Sequence, residues 1–448
     1  MKNYRPVSNL PYVSKLIEKV VVGQMNTHMT TNNLQAKNQS AYRKYYSTET
    51  ALVRILNDLF LSVDNGECCL LIMLDQSAAF DTCHQNLLLH QMNNDYGVKD
   101  TAHDWLASYF INRTQAVNID GVSSSEHKLV TGFPQGSVLG PFSYPVYTAA
   151  LFKVAEKHGV IMHMYADDTQ LFISFDPPEC EEAKLRMMAC LKDIRKWMAE
   201  HHLKLNDDKT EVMLIGSKHN LKKINSVSSI MVGDTEVNIV KSAKNIGVII
   251  DSNLSMEQQV NNVTRSCYMH MYQIGKIRQF LDETTAGKLV CSLVLSRLDF
   301  SNALLFGLPD SLLDKLQAVQ NNAARLVMKR SKHEHVTPLL AHLHWLPVRQ
   351  RIRYKILLLT FKCLLGQAPS YLSELLELYV PTRSLRSSSS SQNLLRERRS
   401  KLKRCGDRAF AVCAPKLWNK LPESLRTITT LNAFKSSLKT YLYKESFN

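Results

Sequence analysis

Apolar and polar positions alternate along this chain in rhythms that change from segment to segment. Over 13–25, Leu16, Ile17, Val20, Val21 and Met25 are interleaved with Lys15, Glu18 and Lys19 at helical spacing. Ser47-Thr48-Glu49-Thr50 predicts an N-cap and first turn for a second helix over 48–60, so residues 1–60 read as mainly helical. The run Cys68-Cys69-Leu70-Leu71-Ile72-Met73-Leu74 has no polar interruption, which predicts a strand buried on both faces. Small residues and a helix over 87–92 follow, then a short helix over 105–110. Strands are predicted at 116–119 and 128–131, joined by a turn at Asp120-Gly121. A helix is predicted over 141–158, disturbed in its first turns by Pro145. Two apolar runs, 160–164 and 170–174, flank Tyr165-Ala166-Asp167-Asp168 as a strand, tight turn and strand. Residues 179–202 predict an amphipathic helix with Leu185, Met188, Leu191, Ile194 and Trp197 on its apolar side. Further strands are predicted at 210–215, 230–232 and 237–239 about Gly233-Asp234, with one more at 246–250. Beyond Met256 helical spacing takes over. The Ser- and Arg-rich stretch 383–404, with serines throughout 387–391, predicts a flexible linker.

At 448 residues the chain exceeds one ordinary core, and two to four domains are expected. A hydrophobic content of 45% is that of a folded protein, and no apolar run reaches membrane-spanning length. The net charge of +15 is unevenly spread: residues 261–448 hold 30 Lys and Arg against 12 Asp and Glu, leaving the first 260 near neutral. A basic half predicts a polyanionic partner, with Arg349, Arg351, Arg353 and Lys355 and the cluster 396–404 as backbone contacts. The ten cysteines form no CxxC pair, which points to reduced thiols in an intracellular protein rather than zinc or disulfides. His333, His335, His342 and His344 have no Cys or carboxylate cluster beside them and read as structural.

Adjacent carboxylates at Asp167 and Asp168 repel each other, so their placement between apolar strands calls for a cation. Asp75 stands at the end of the apolar run 68–74 in the same manner. If those strands are neighbours, three carboxylates converge, which suits metal-assisted phosphoryl transfer.

Several segments together resemble one family. Tyr165-Ala166-Asp167-Asp168, Leu74-Asp75-Gln76-Ser77-Ala78-Ala79-Phe80-Asp81-Thr82 and Gly132-Phe133-Pro134-Gln135-Gly136-Ser137 are similar to motifs of the reverse transcriptases of non-LTR (LINE-type) retrotransposons. Asn3-Tyr4-Arg5-Pro6-Val7-Ser8, Gln39-Ser40-Ala41-Tyr42-Arg43 with Ser47-Thr48-Glu49-Thr50, and Leu205-Asn206 with Lys209-Thr210 resemble its finger and fourth palm motifs. Leu343-His344-Trp345-Leu346-Pro347-Val348 and Ala414-Pro415-Lys416-Leu417-Trp418-Asn419 resemble its C-terminal stretches. The resemblance implies an α+β fold: a right-hand polymerase of fingers, palm with an antiparallel sheet and helical thumb, plus a mostly helical basic C-terminal region. Its boundaries would be fingers at 1–66 continuing in 92–130, palm at 67–255, thumb at 256–345 and the basic region at 346–448, with the linker at 383–404. It implies that Asp75, Asp167 and Asp168 hold two Mg²⁺ ions, Mn²⁺ being the substitute, aided by the backbone carbonyl of Gln76. The reaction would be RNA-directed DNA synthesis from dNTPs on an RNA template and DNA primer.

Within that resemblance, Phe80 would exclude a ribose 2′-hydroxyl, a core Phe being the plain alternative. Gln135 and Gly136 occupy a glycine loop before a helix, where backbone and a helix N-terminus suit a nucleotide; a simple turn explains the glycines as well. Arg43 would pair with triphosphate oxygens, and Lys209 would act as general acid, against the alternatives of a surface Arg and a solvated Lys. Cys83-His84-Gln85 and Pro145 depart from the family pattern. The chain opens at Met1 inside a finger motif, with no endonuclease domain ahead and no terminal Cys/His knuckle. The expectation is therefore a truncated element that keeps its catalytic carboxylates, with a non-polymerising nucleic-acid-binding remnant as the rival. Residence in the nucleus or cytoplasm as a ribonucleoprotein is expected, and the oligomeric state is open.

Overall fold

The computed structural model describes residues 7–77, 79–224, 228–233, 235–380 and 393–447. Asn3 to Pro6, Ala78, Asp234 and the linker residues 383–392 lie outside them. The chain divides into two units, one of Met1–Lys44, Leu70–Val212 and Asn225–Ile239, the other of Tyr45–Cys69, Met213–Ile224 and Val240–Asn448.

The first unit is built around strand β1 (Cys68–Ser77), whose residues from Cys68 to Leu74 are at most 8% exposed. Two small ribbons follow it. Strand β2 (Arg113–Gln115) pairs with β5 (His127–Leu129), and inside that pair β3 (Asn118–Ile119) meets β4 (Val122–Ser123). One hairpin was expected here. The chain makes two because Asp120 and Gly121, at φ 51° and 84°, form a two-residue turn that closes only the inner pair. Strands β6 (Ile161–Tyr165), β7 (Asp168–Phe175) and β8 (Lys204–Ile215) complete a four-stranded sheet of order β6-β7-β1-β8. The fold is thus α+β, and β1 is buried on both faces because it lies inside that sheet. β8 begins six residues earlier than its apolar pattern suggests, since buried Leu205 anchors the polar stretch Asn206-Asp207-Asp208-Lys209. A short ribbon of β9 (Ser229–Val232) and β10 (Thr235–Asn238) follows.

Helix Cys180–Glu200 packs on β7 through Ala183, Met187, Cys190, Leu191, Ile194 and Met198. The expected apolar side was rotated from this: Leu185 is 64% exposed, and smaller Ala183 and Cys190 carry the stripe. The predicted helix over 141–158 is two helices, Leu139–Tyr147 and Ala150–Lys157, parted at Thr148 and Ala149. Pro145 sits inside the first, near its end rather than its start.

In the second unit, helix Thr48–Asn65 opens with the predicted cap: the Thr50 amide donates to Ser47 Oγ at 3.1 Å and the Ser47 amide to Thr50 Oγ1 at 2.9 Å. Its apolar face is covered by segments 302–305, 370–373, 406–408 and 410–419, which is why this helix groups with the C-terminal half and not with residues 1–44. The single strand expected at 246–250 is a hairpin of β11 (Ser242–Asn245) and β12 (Val248–Asp251), turned by Ile246 and Gly247 at φ 42° and 86°. Helices Glu257–Ile277, Asp310–Met328, Val348–Leu364, Phe410–Asn419 and Leu431–Phe447 follow. Leu346, Phe361, Trp418 and Phe434 share one apolar core, with the Phe361 and Phe434 rings stacked at 4.0 Å. The C-terminal motif residues Leu346 and Trp418 are therefore packing residues, and the Trp418 indole donates to the Asn393 carbonyl at 2.7 Å.

Two charge expectations are corrected here. Arg349, Arg351, Arg353 and Lys355 do not form a backbone track. Helix Val348–Leu364 fans them out to acid partners: Arg349 to Asp310 and Asp314 at 2.6 and 2.9 Å, Arg351 to Asp299 at 2.8 Å, Arg353 to Glu445 at 2.6 Å, and Lys355 to Glu49 at 3.0 Å. The described end of the linker, from Asn393, is also fixed: Leu395 is buried and bridges to Leu378, while Arg396 and Arg398 pair with Glu377 at 3.1 and 2.9 Å. All ten thiols are unbridged. Among the described residues no helix is long and apolar enough to cross a membrane.

Candidate active site

Sheet order brings the predicted residues together. β1 lies between β7 and β8, so Asp75 sits on the strand beside both the one that begins at Asp168 and the one that carries Asn206 and Lys209. β6 and β7 pair with Tyr165 opposite Asp168, leaving Ala166 and Asp167 as a two-residue turn. Asp168 is thus the first residue of a strand and not part of the turn. Ala166 holds φ 58°, a left-handed conformation that costs a non-glycine residue about 1 kcal/mol.

That turn is held from outside the sheet. The side-chain oxygen of buried Gln39 accepts from the Ala166 amide at 3.2 Å and from the Ala41 amide at 3.1 Å. Ser40 donates its amide to the Met164 carbonyl at 2.9 Å, and Met164 donates to Asn38 at 3.0 Å, so residues 38–41 line the free edge of β6. Edge cover of this kind leaves β6 no open ladder for another chain.

The electrostatics show a site short of positive charge. The Asp168 carboxyl is pushed up to about 6, first by desolvation, then by the charges of Asp167 and Asp75. Tyr42 is raised by burial and then by the Asp167 charge, which places its ring near the same carboxylates. Lys209 brings the one ammonium paired with Asp75: its Nζ lies 3.2 Å from Oδ2, to which Asn206 Nδ2 also donates at 3.3 Å. With Asp75 so engaged, no three His, Cys, Asp or Glu side chains among the described residues stand in metal-binding geometry. The donor set nevertheless fits hard divalent cations: three carboxylates, mutually repelling, with an ammonium standing where a cation is needed.

The residues expected to face a nucleotide divide. Phe80 stacks on the buried Tyr144 ring at 4.9 Å and meets Tyr42 edge-on at 6.4 Å, so its ring is held between two tyrosines that feel the Asp167 charge. The Gln76 side chain accepts from the Tyr144 hydroxyl, which ties β1 to helix Leu139–Tyr147. Gln135 donates its side-chain amide to both oxygens of Asp81, at 2.8 and 3.0 Å. Gly132 lets this pairing form: at φ 83° it packs so close that a Cβ would stand 2.7 Å from the Asp81 carbonyl oxygen. Gly136 has φ 105°, and its neighbour Gln135 accepts from the Ser8 amide at 2.8 Å.

Two expected anion-facing groups have partners inside the chain. The N-terminus of helix Leu139–Tyr147 is not open to an anion, because Glu18 already takes it: its Oε2 accepts from the Val138 and Leu139 amides at 2.6 and 3.1 Å. Arg43 directs Nη1 to the carbonyls of Ala36 and Gln39, at 2.7 and 3.0 Å, and so braces its own loop. Gln39, Tyr42, Asp81, Tyr144 and Asn206 were not singled out from sequence. Tyr42, Gln39 and Asn206 lie inside the quoted motifs, which was the available signal; a buried Glu in an otherwise amphipathic helix gave none for Glu18.

The sequence model of the reverse transcriptase (RNA-dependent DNA polymerase) family matches residues 1–250. The chain is similar to the "Probable RNA-directed DNA polymerase from transposon BS" of Drosophila melanogaster, 28% identical over 284 residues, or 61% of this chain and 30% of the relative. It is 24% identical over 333 residues to the X-element counterpart of Drosophila melanogaster, covering 72% of this chain and 35% of that one. With the jockey RNA-directed DNA polymerase of the same organism it shares 23% over 269 residues, 59% and 28% of the two chains. The chain thus spans about a third of these relatives' length. Among solved structures, telomerase from Candida Tropicalis with a TWJ fragment of telomeric RNA aligns at 10% identity and TM-score 0.41, over 96% of this chain and 56% of that one, a likeness too loose to carry an argument.

Proposed function

The chain belongs to the reverse transcriptase (RNA-dependent DNA polymerase) family, and we propose that it copies RNA into DNA by nucleotidyl transfer from dNTPs to a primer 3′-hydroxyl. The single observation that carries the reading is that β1, which bears Asp75, lies beside β7, which begins at Asp168, and that Asp168 feels the charges of both Asp167 and Asp75. In this reading the sheet is the palm at 67–255, residues 1–66 and 92–130 act as fingers, 256–345 as thumb, and 346–448 as a basic extension.

Divalent cations, Mg²⁺ or Mn²⁺, held by Asp75, Asp167 and Asp168 would supply Lewis-acid activation of the primer hydroxyl and neutralise charge on the triphosphate. The chain's own residues do the rest. Asn206 and Lys209 orient the Asp75 carboxylate, and Lys209, two-thirds exposed, has a proton to give to the departing pyrophosphate. Gln39 fixes the turn that aims Asp167. Asp81 holds the Gln135 amide nitrogen, which leaves the Gln135 oxygen as an acceptor for a hydroxyl or N–H of the nucleotide. Phe80, pinned by Tyr144, would serve as the wall against a 2′-hydroxyl.

The test is primer extension on an RNA template with Mg²⁺ and dNTPs, wild type against Asp167→Ala. Removing a cation-holding carboxylate sacrifices several kcal/mol of charge stabilisation, so the rate is expected to fall by about 10³ or more. Equal rates in the two chains would leave a nucleic-acid-binding protein that does not polymerise. A second outcome concerns sugar choice. Phe80→Ala should raise the ratio of ribonucleotide to deoxynucleotide incorporation by roughly 10- to 100-fold, the scale of a lost steric contact with one hydroxyl. A ratio unchanged in single-nucleotide insertion kinetics would return Phe80 to a packing role.

A further inference from the structure

We propose that Arg399, Lys401 and Lys403 form a docking site for the phosphate backbone of single-stranded RNA, in a part of the second unit that the chemistry above does not use. It deepens the polymerase reading, on which the choice of RNA rests, by naming where that partner is held.

Arg349, Arg351, Arg353 and Lys355 of helix Val348–Leu364 are consumed by acids within the unit, and Arg396 and Arg398 by Glu377. Arg399, Lys401 and Lys403 make no ion pair among the described residues, and all three line one cavity of about 530 Å³. The acids that share its wall are already engaged. Asp407 takes Lys416 at 2.7 Å and Ser400 at 2.5 Å, which holds its carboxyl below the usual range, and Glu397 accepts from Asn419 at 3.0 Å. The wall thus carries Arg398, Arg399, Lys401, Lys403 and Lys416 against Glu397 and Asp407, a net surplus of positive charge.

The loop that carries these cations is built rather than loose. Asp64, 7% exposed, accepts from the Lys401 amide at 3.1 and 3.0 Å and from the Leu402 amide at 2.6 Å. Gly406 closes against the same carboxylate so tightly that a Cβ would come within 2.3 Å of it. A buried carboxylate thus fixes the backbone from behind and leaves the side chains to face outward, which lowers the ordering cost of binding. The cavity lining contains no apolar side chain, so it offers a charged backbone much and a lipid bilayer little to bury.

The test uses the full chain and a fluorescein-labelled 20-nucleotide RNA of mixed sequence, with no dNTP and no divalent cation, followed by anisotropy across a salt series. The variant Arg399→Gln/Lys401→Gln/Lys403→Gln should bind at least about tenfold more weakly near 0.15 M salt, and its salt slope should fall by about 2, from roughly 0.7 per lost single-strand contact. The comparator Lys218→Gln/Lys222→Gln/Lys223→Gln, which removes the same charge from helix Lys218–Lys223, should keep affinity and slope. An equal loss in both variants, or none in the first, overturns the site. So does retained RNA binding with lost binding to phosphatidylserine vesicles, which would make it a lipid surface. An Asp167→Ala chain that matches wild type in extension but still loses RNA with the triple variant would sink the polymerase reading and leave this site standing.

Discussion

An Asp168→Asn chain is expected to extend no primer and yet to melt at a higher temperature than wild type near pH 7.5 without divalent cations. The two effects share one cause. The Asp168 carboxyl stands at about 6 in the folded chain against an ordinary 3.8, because desolvation and then Asp167 and Asp75 disfavour its charge. Between those values the folded state binds more protons than the unfolded one, so stability falls as pH rises through the window and the penalty is complete above it. At the low end of the window, wild type and Asn variant should melt alike; above pH 6 the variant should gain. Solvent reaches the end of β7, so the gain is about 1 kcal/mol or less after screening. Millimolar Mg²⁺ should raise the wild-type melting temperature and leave the variant nearly unmoved, since only the former keeps the full carboxylate set. A variant that melts no higher at pH 7.5 would show that the three acids are not crowded.

The second large effect concerns architecture. Arg408 is buried at 6% exposure with its guanidinium over the Phe60 ring at 4.5 Å, donating to the carbonyls of Leu254 at 2.6 Å and Phe306 at 3.2 Å. Burial pushes this guanidinium down to about 10, and no carboxylate among the described residues bonds to it. Arg408→Ala strands those carbonyls and opens a hole beside Phe60, which should cost about 3–5 kcal/mol. Arg408→Lys should recover little, because one ammonium cannot reach carbonyls that a planar fork spans. Urea unfolding followed by tryptophan fluorescence checks this; a midpoint unchanged in the Ala variant would show that the carbonyls find water instead.

The three carboxylates were legible because their signal is local: an apolar run that stops at an acid, twice over. What decided their surroundings was not local. Glu18 reads as the solvated face of an amphipathic helix, and only tertiary packing turns it into the cap of a helix beginning 121 residues later. The alternation of Arg349, Arg351, Arg353 and Lys355 with apolar residues suggested one face. On a helix the same spacing scatters them, and their acid partners lie between 35 and about 300 positions away. Turn chemistry was the other blind spot. Ile246 at φ 42° hides a hairpin inside an apolar run, because a β-branched residue rarely takes that conformation and gives no warning of it.

Glu18 also sets how far the chain can be trimmed. Ser14 donates its hydroxyl to Glu18 Oε1 at 3.1 Å, so cap and clasp both come from the opening helix. A minimal catalytic fragment must keep that helix from upstream of Ser14, or the segment bearing Tyr144 would lose the counterweight to its exposed amides and Phe80 its backing.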